Sequence, residues 1–200
     1  MLWETRDFPA GHPYNNVVAM PDDTPLPPIW LLGSSDYSSE LAAQVGMGFA
    51  FAHHFASYDA IAALTNYRDH FKPSGWRATP HGILAVAAVA AETDAEAEQL
   101  ASSMDLNRLR RDRGQYLPLP SVEEALAYNY SDAERGSVMR NRARLFVGSP
   151  ATIMTKLEPM ITAGKPDELM IITAVYDHDA RKKSYGLLAD AFGLGKKAAA

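Results

Sequence analysis

Residues 30–46 read WLLGSSDYSSELAAQVG, an apolar run that stops at Gly-Ser-Ser and resumes with the spacing of a helix. Strand, turn and helix in that order form the unit from which parallel α/β folds are built. Working outward, PPIWLLGSS (27–35) is joined by GFAFAHHFA (48–56), GILAVAAVAAE (82–92) and ELMIITAVY (168–176), short apolar runs without consistent alternation. That pattern predicts four strands covered on both faces. Helical spacing is predicted over 38–46, 57–71, 93 to about 110, 121–143 with a break near Ser131, 149–163 and 178–192. Ser149 and Pro150 suit an N-cap and first helical position, and Thr93 and Asp94 precede a helix with an acidic first turn. The βα alternation implies a parallel sheet with helical crossovers. It leaves open whether that sheet is doubly wound or part of a (β/α)8 barrel.

The chain has 200 residues, 47% of them hydrophobic and 22% charged, which suits one globular domain with a substantial core. That domain is expected over 28–194, after an irregular arm at 1–27 and before a disordered tail at 195–200. A net charge of −5 argues against nucleic acid, and the one basic cluster, RLRRDR at 108–113, reads as a solvated helix face. With no cysteine, disulfide scaffolds, thiolate metal sites and cysteine nucleophiles are excluded. No run approaches the roughly 18 apolar residues of a membrane span, and the N-terminus lacks the pattern of a secretory signal, so an intracellular, cytoplasmic protein is expected.

In parallel α/β proteins function gathers where strands end and helices begin. At the first such junction Gly33 permits a close backbone approach, Ser34, Ser35 and Ser38 offer hydroxyls, and the first helical amides favour an anion. The turn is a candidate phosphate cradle; the plainer alternative is a serine cap after a tight glycine turn. The lysine of a nucleotide-binding P-loop is absent. His53 and His54 end the second run, and adjacent strand residues face opposite ways, so a shared metal is not expected. One of them is a candidate acid/base or hydrogen-bonding group. Tyr176, Asp177 and His178 reach the same rim, where Asp177 suits a helix cap. No HExxH motif, GxSxG elbow or recognisable nucleophile and base pair is present, and no residue is singled out as a catalytic base.

Five stretches, PPIWLLGSSDYSSELAAQVGMGFAFAHHF (27–55), YRDHFKPS (67–74), AAETDAEAEQLA (90–101), LFVGSP (145–150) and DELMIITAVYDHDARKKSYGLLADAF (167–192), together resemble the bacterial luciferase-like, flavin-dependent monooxygenases, in their alkanal monooxygenase-like branch. The resemblance implies a TIM-type (β/α)8 barrel of which this chain supplies strands five to eight. It also implies reduced FMN from a separate flavin reductase, O2 as co-substrate and a small, aldehyde-like organic substrate. In that family the turn matching Gly33, Ser34, Ser35 and Ser38 holds the flavin phosphate, and the strand end matching Phe51, Ala52 and His53 lies near the flavin ring. The family's first four strands have no counterpart here, which implies either a fragment or a half-barrel that completes its sheet as a homo-oligomer. The alternatives are a non-catalytic flavin-binding or assembly protein, and a deazaflavin binder of a related branch.

Overall fold

The computed structural model describes residues 8–17, 20 and 27–194. The tail expected at 195–200 and the arm's residues 1–7, 18–19 and 21–26 lie outside the described residues. Five strands, β1 (Trp30–Gly33), β2 (Gly48–Ala52), β3 (Gly82–Ala90), β4 (Leu145–Gly148) and β5 (Glu168–Ile172), form one sheet whose pairings are all parallel. Among the described residues seven α-helices accompany them: α1 (Asp36–Val45), α2 (Ala60–Asp69), α3 (Asp94–Asp112), α4 (Val122–Ala127), α5 (Asp132–Arg142), α6 (Pro150–Gly164) and α7 (His178–Ala191). A 3-10 turn, His53–Phe55, follows β2.

The four expected strands are present, and β4 is a fifth. It lies in LFVGSP, a four-residue segment too short to show a period. Nine-residue β3 is the axis of the sheet: β2 pairs with its first residues, β5 with Ile83–Ala87 and β4 with Ala87–Ala90. Ala87 has Leu145 and Ile172 as simultaneous partners, and Leu84 has Phe51 and Leu169. A strand residue has one partner per edge, so β2 and β4 lie end to end along one edge of β3, and β5 runs along the other.

Alternate residues of β3 enter two cores, as a period of two requires. Leu84, Val86, Ala88 and Ala90 pack with Phe49, Phe51, Leu64, Tyr67, Ile153 and Leu157, beneath α1, α2, α6 and α7. Ala87 and Val89 face the other way, against Ala97, Ala101 and Met104 of α3 and Leu145 and Val147 of β4. Among the described strands β2, β3 and β4 are substantially buried, whereas β1 and β5 are not. The expectation of full burial fails for the outer strands: Leu32 is 72% exposed, Met170 51% and Ile172 39%. An apolar run records that a residue needs cover, not whether the same chain supplies it.

Helix ends follow their chemistry. Asp177, Thr93, Ser121, Ser131 and Ser149 each accept a hydrogen bond from an amide of the first turn they cap. Gly46 ends α1 in the left-handed region at φ 67°, where a Cβ would collide with the Lys72 carbonyl.

Candidate functional site

Gly33 of β1 is paired with Phe51 of β2, which is paired with Leu84 of β3 and through it with Leu169 of β5. At about 4.8 Å between neighbouring strands, the turn after Gly33 and the end of β2 therefore stand side by side at the C-terminal edge of the sheet. The register thus brings together the Gly33 end of β1, with the serine turn after it, and the Phe51–Ala52 end of β2, with His53 after it. β3 runs three residues beyond the last pair with β5, and β4 with α3 stacks on that extension as a wall above the rim.

In the turn, Ser38 is the central side chain. Its Oγ donates to the Ser35 carbonyl at 2.8 Å and accepts from the Ser35 amide at 3.4 Å. Ser35 is extended, at φ −140° and ψ 171°, so the chain enters α1 with the first helical amides directed at the rim. The Tyr37 amide donates to the Asp36 carboxylate at 2.8 Å. Gly33 has no positive φ; what it lacks is room, because a Cβ there would overlap the Cβ and Oγ of Ser38. The glycine thus lets the Ser38 hydroxyl sit against the strand end. Ser39 Oγ, by contrast, is turned inward, donating to the Asp36 carbonyl at 2.7 Å and accepting from Asn66 Nδ2 at 3.1 Å.

At the end of β2, the side chain of Phe51 is fully buried in the helix-covered core, edge-on to Phe49 at 6.2 Å, so only its backbone borders the rim. Ala52 is buried on the opposite face of the strand. His53 follows Phe49 and Phe51 in parity, and its ring lies 5.9 Å from that of Phe146 of β4. It occupies the gap where β2 has stopped and β4 has not begun. Its Nδ1 is buried without a hydrogen-bond partner. Burial, reinforced by His54 and Arg144, lowers its pKa below 6.5 against a smaller opposing effect of Asp59, so the ring is neutral at pH 7. His54 turns away and its Nδ1 approaches the Ala85 carbonyl at 3.3 Å; both histidines lie in the 3-10 turn that follows β2 and not in the strand, as the sequence had them, so alternation along a strand is not what separates them.

Two neighbours of this site have no counterpart in the sequence reading. Phe146 covers His53, and Arg144 reaches the Phe55 carbonyl at 3.5 Å and the Asn141 side chain at 2.8 Å. Both flank or belong to β4, so missing that strand meant missing them. The helices above are clamped by a bidentate pair, Arg142 to Asp105 at 2.7 Å through both nitrogens, and by Glu134, which receives the Ser131 amide at 2.6 Å and the Tyr128 hydroxyl at 2.7 Å. Asp177 caps α7, its carboxylate accepting from the Ala180 amide at 2.7 Å. Among the described residues no helix is long and apolar enough to cross a membrane.

Residues 1–165 match the family model of the luciferase-like monooxygenases. The Bacillus subtilis (strain 168) protein YceB is 35% identical over 188 residues, which cover 94% of this chain and 57% of that relative. A luciferase-like monooxygenase of Escherichia coli (strain K12) is 34% identical over 183 residues, 92% of this chain and 55% of its own. The crystal structure of apo-MsnO8 superimposes with a TM-score of 0.79 at 30% identity, covering 98% of this chain and 61% of that one. The chain therefore spans a little over half the length of the relatives it matches. With a parallel α/β sheet, a hydroxyl-rich turn at its C-terminal rim and a family match over most of its length, the chain belongs to the luciferase-like monooxygenase family.

Proposed function

We propose that this chain binds FMN as part of a flavin-dependent monooxygenase that uses O2 on a small, aldehyde-like substrate, the flavin arriving reduced from a separate reductase. The observation that carries the reading is the pairing of Gly33 with Phe51, which sets the α1 turn and the end of β2 next to each other on one rim. The donor set suits a phosphate: Ser34, Ser35 and Ser38 bring three hydroxyls to the start of a ten-residue helix, where Ser35 and Ser38 form a capping box whose bonds a phosphate would take over. Asp36 is the opposing charge in that turn, and its carboxylate, now on the Tyr37 amide, has to turn to solvent when a phosphate takes that place. When bound, FMN supplies the redox and oxygen chemistry. The chain's own part is to fix the phosphate through Ser34, Ser35 and Ser38, and to hold a neutral imidazole at His53 beside the strand end. Leu32, Met170 and Ile172 supply apolar surface on the inner face of the sheet, which favours exclusion of water once that face is covered.

A second reading is a non-catalytic flavin-binding half-barrel or assembly protein; the exposure of Leu32, Met170 and Ile172 on the outer strands favours it among the described residues. We further propose a cytoplasmic homo-oligomer: among the described residues one edge each of β1 and β5 is unpaired, and Leu32, Met170 and Ile172 are exposed. Fluorescence quenching during titration with FMN tests the flavin assignment. Saturable quenching is expected, with Ser34→Ala and Ser35→Ala each weakening affinity about tenfold, the equivalent of about 1.4 kcal/mol. No saturable quenching by the unaltered chain overturns it. Binding without reductase-dependent oxidation of aldehydes selects the non-catalytic reading.

A further inference from the structure

We infer that the gap between β2 and β4 is a donor corner for an anionic oxygen, where Arg144 and the Nε2 nitrogen of His53 receive the carboxylate of a small organic acid and Arg108 adds positive charge. The inference rests on the flavin-dependent oxidation proposed above and narrows its substrate to an aldehyde-like molecule that also carries a carboxylate.

The corner belongs to elements that this chain itself brings together. Ala52 ends β2 opposite Ala85, Leu145 begins β4 opposite Ala87, and both strands lie on one edge of β3. His53 follows β2 directly and Arg144 directly precedes β4, so the two flank the interval between the strands. Arg144 Nη1 crosses that interval to the Phe55 carbonyl at 3.5 Å, and its charge acts on His53. The unpaired edges of β1 and β5 lie elsewhere in the sheet.

The positive charge there is unmatched. Among the half-buried arginines of the described residues, Arg68, Arg110 and Arg142 each have a carboxylate within ion-pair distance, and Arg77 lies over the Trp30 ring. Arg108 and Arg144 have neither. Arg108 donates to the Asn141 carbonyl at 3.0 Å and Arg144 to the Asn141 side chain at 2.8 Å, which leaves each guanidinium with N–H groups to spare. Asp105 is held by Arg142, and Asp112 accepts from Asn141 at 3.3 Å. Burial, then the charge of Arg144, lowers the Arg108 pKa against the weaker pull of those two carboxylates. Two neighbouring cations without a carboxylate are stabilised by an anion from outside, which accepts charge-assisted hydrogen bonds from both.

His53 faces the same need. Its Nδ1 is buried without a partner, whereas Nε2 is reached by solvent. A buried N–H without an acceptor is the rarest of unpaired groups, so the single proton of the neutral ring sits on Nε2 and is free to donate. Asp59, the carboxylate that acts on His53, is engaged in capping α2, where it accepts from the Ala62 amide at 2.7 Å. Beside these donors Phe55 is 72% exposed and the Phe146 ring lies 5.9 Å from that of His53. Donors next to apolar rings suit a carboxylate on a carbon chain better than a bare inorganic ion.

Hexanoate is the probe, hexanol its uncharged control, and NMR of the 15N-labelled histidine ring the readout. The free chain should show the His53 proton on Nε2. Hexanoate should shift the His53 signals saturably and raise the pKa of the ring, since an anion favours the imidazolium, while hexanol does neither. Arg144→Gln should keep the far-UV circular dichroism and weaken hexanoate at least about tenfold. His53→Gln, whose amide N–H stands near the Nε2 position, should retain more affinity than His53→Leu. No response to hexanoate, an equal response to hexanol, a proton on Nδ1, or a folded Arg144→Gln that binds hexanoate unchanged overturns the inference. The contrast of hexanoate with hexanol on the unaltered chain decides it even where Arg144→Gln fails to fold. The flavin phosphate shares this oxyanion chemistry: Arg144→Gln weakening FMN but sparing riboflavin would make the phosphate the occupant and overturn the substrate carboxylate. Failure of the flavin assignment shows separately, as the absence of saturable FMN quenching, and leaves the hexanoate result standing.

Discussion

Replacing Gly33 with alanine tests the geometry of the turn most directly. The added Cβ would overlap both the Cβ and the Oγ of Ser38, whereas Ser38 Cα stands at an ordinary 3.6 Å. Rotating the hydroxyl relieves only half of that overlap, because the Ser38 Cβ is fixed to the helix backbone. The first turn of α1 therefore has to move, an overpacking cost of about 1–3 kcal/mol. Ser38→Gly alone removes the bond to the Ser35 carbonyl, about 1 kcal/mol, and adds a glycine to a helix, about 1 kcal/mol more. If the two sites were independent, the double variant would lose about 4 kcal/mol, the sum of the two single losses. Since Ser38→Gly vacates the space that the new methyl group needs, the double variant is expected to lose only about 2–3 kcal/mol, a coupling of about 1–2 kcal/mol. Urea denaturation followed by circular dichroism measures all four proteins, with the midpoint shifting at constant slope. Additivity within about 0.5 kcal/mol would show that Gly33 and Ser38 do not share that space, and the account of the turn would fall. The coupling in stability should not carry over to FMN affinity, which stays weakened in the double variant because the Ser38 hydroxyl is gone.

Three further outcomes follow from named contacts. His53 should titrate below 6.5 by NMR; the native state then binds its proton less readily than the unfolded chain, so stability rises with pH through the window beneath 6.5 and is complete above it. A measured value at or above 6.5 contradicts the buried, unpartnered Nδ1. Glu134, held at about 2 chiefly by the Ser131 amide and then by the Ser131 and Tyr128 hydroxyls, supports the fold fully above 4.5 and loses that support as pH falls from 4.5 toward 2. Acid unfolding of Glu134→Gln should lack this portion of the profile, and an unchanged profile speaks against the clamp. Asp105→Ala leaves the Arg142 guanidinium, 18% exposed, without its bidentate partner and should cost about 3 kcal/mol in thermal or urea unfolding. Asp105→Leu with Arg142→Met should lie within about 1 kcal/mol of the unaltered chain, and an equal loss in both would assign the effect to packing.

What the sequence shows and what it hides divide along a physical line. β3 is legible because nine consecutive small or branched apolar residues, Gly82–Ala90, bounded by a glycine and by the polar Glu92–Asp94, suit a strand buried on both faces. Helix starts are legible because capping is local: Ser149 with Pro150, Thr93 and Asp177 act on amides three residues away. β4 is not legible, since four residues carry no period and their strand character comes from pairing with Ala87–Ala90, more than fifty residues earlier. The candidate site divides in the same way. Ser34, Ser35 and Ser38 are visible as a run of hydroxyls, and His53 as a polar residue ending an apolar run. The roles of the partners are not: only the folded chain reveals that Gly33 makes room for Ser38, that Phe51 turns its ring into the core, and that Phe146 covers His53.

The position of His53 is a consequence of unequal strand lengths. β2 ends at Ala52, opposite Ala85, while β3 continues to Ala90 and accepts β4 on the same edge from Ala87 onward. Between the two lies an interval of one β3 residue, and the 3-10 turn that begins at His53 is what the chain does on leaving the sheet there. A longer β2 would exclude β4, and a shorter β3 would leave β4 and α3 nothing to pack on, since Ala87, Val89 and Ala91 form the floor of that second core. Small residues make the arrangement possible: alanines at 85, 87, 88 and 90 let neighbouring strands and helices approach β3 closely on both faces. The neutral imidazole at the rim is thus held by the topology of the sheet, with the hydroxyl turn of β1 one strand away by the same register.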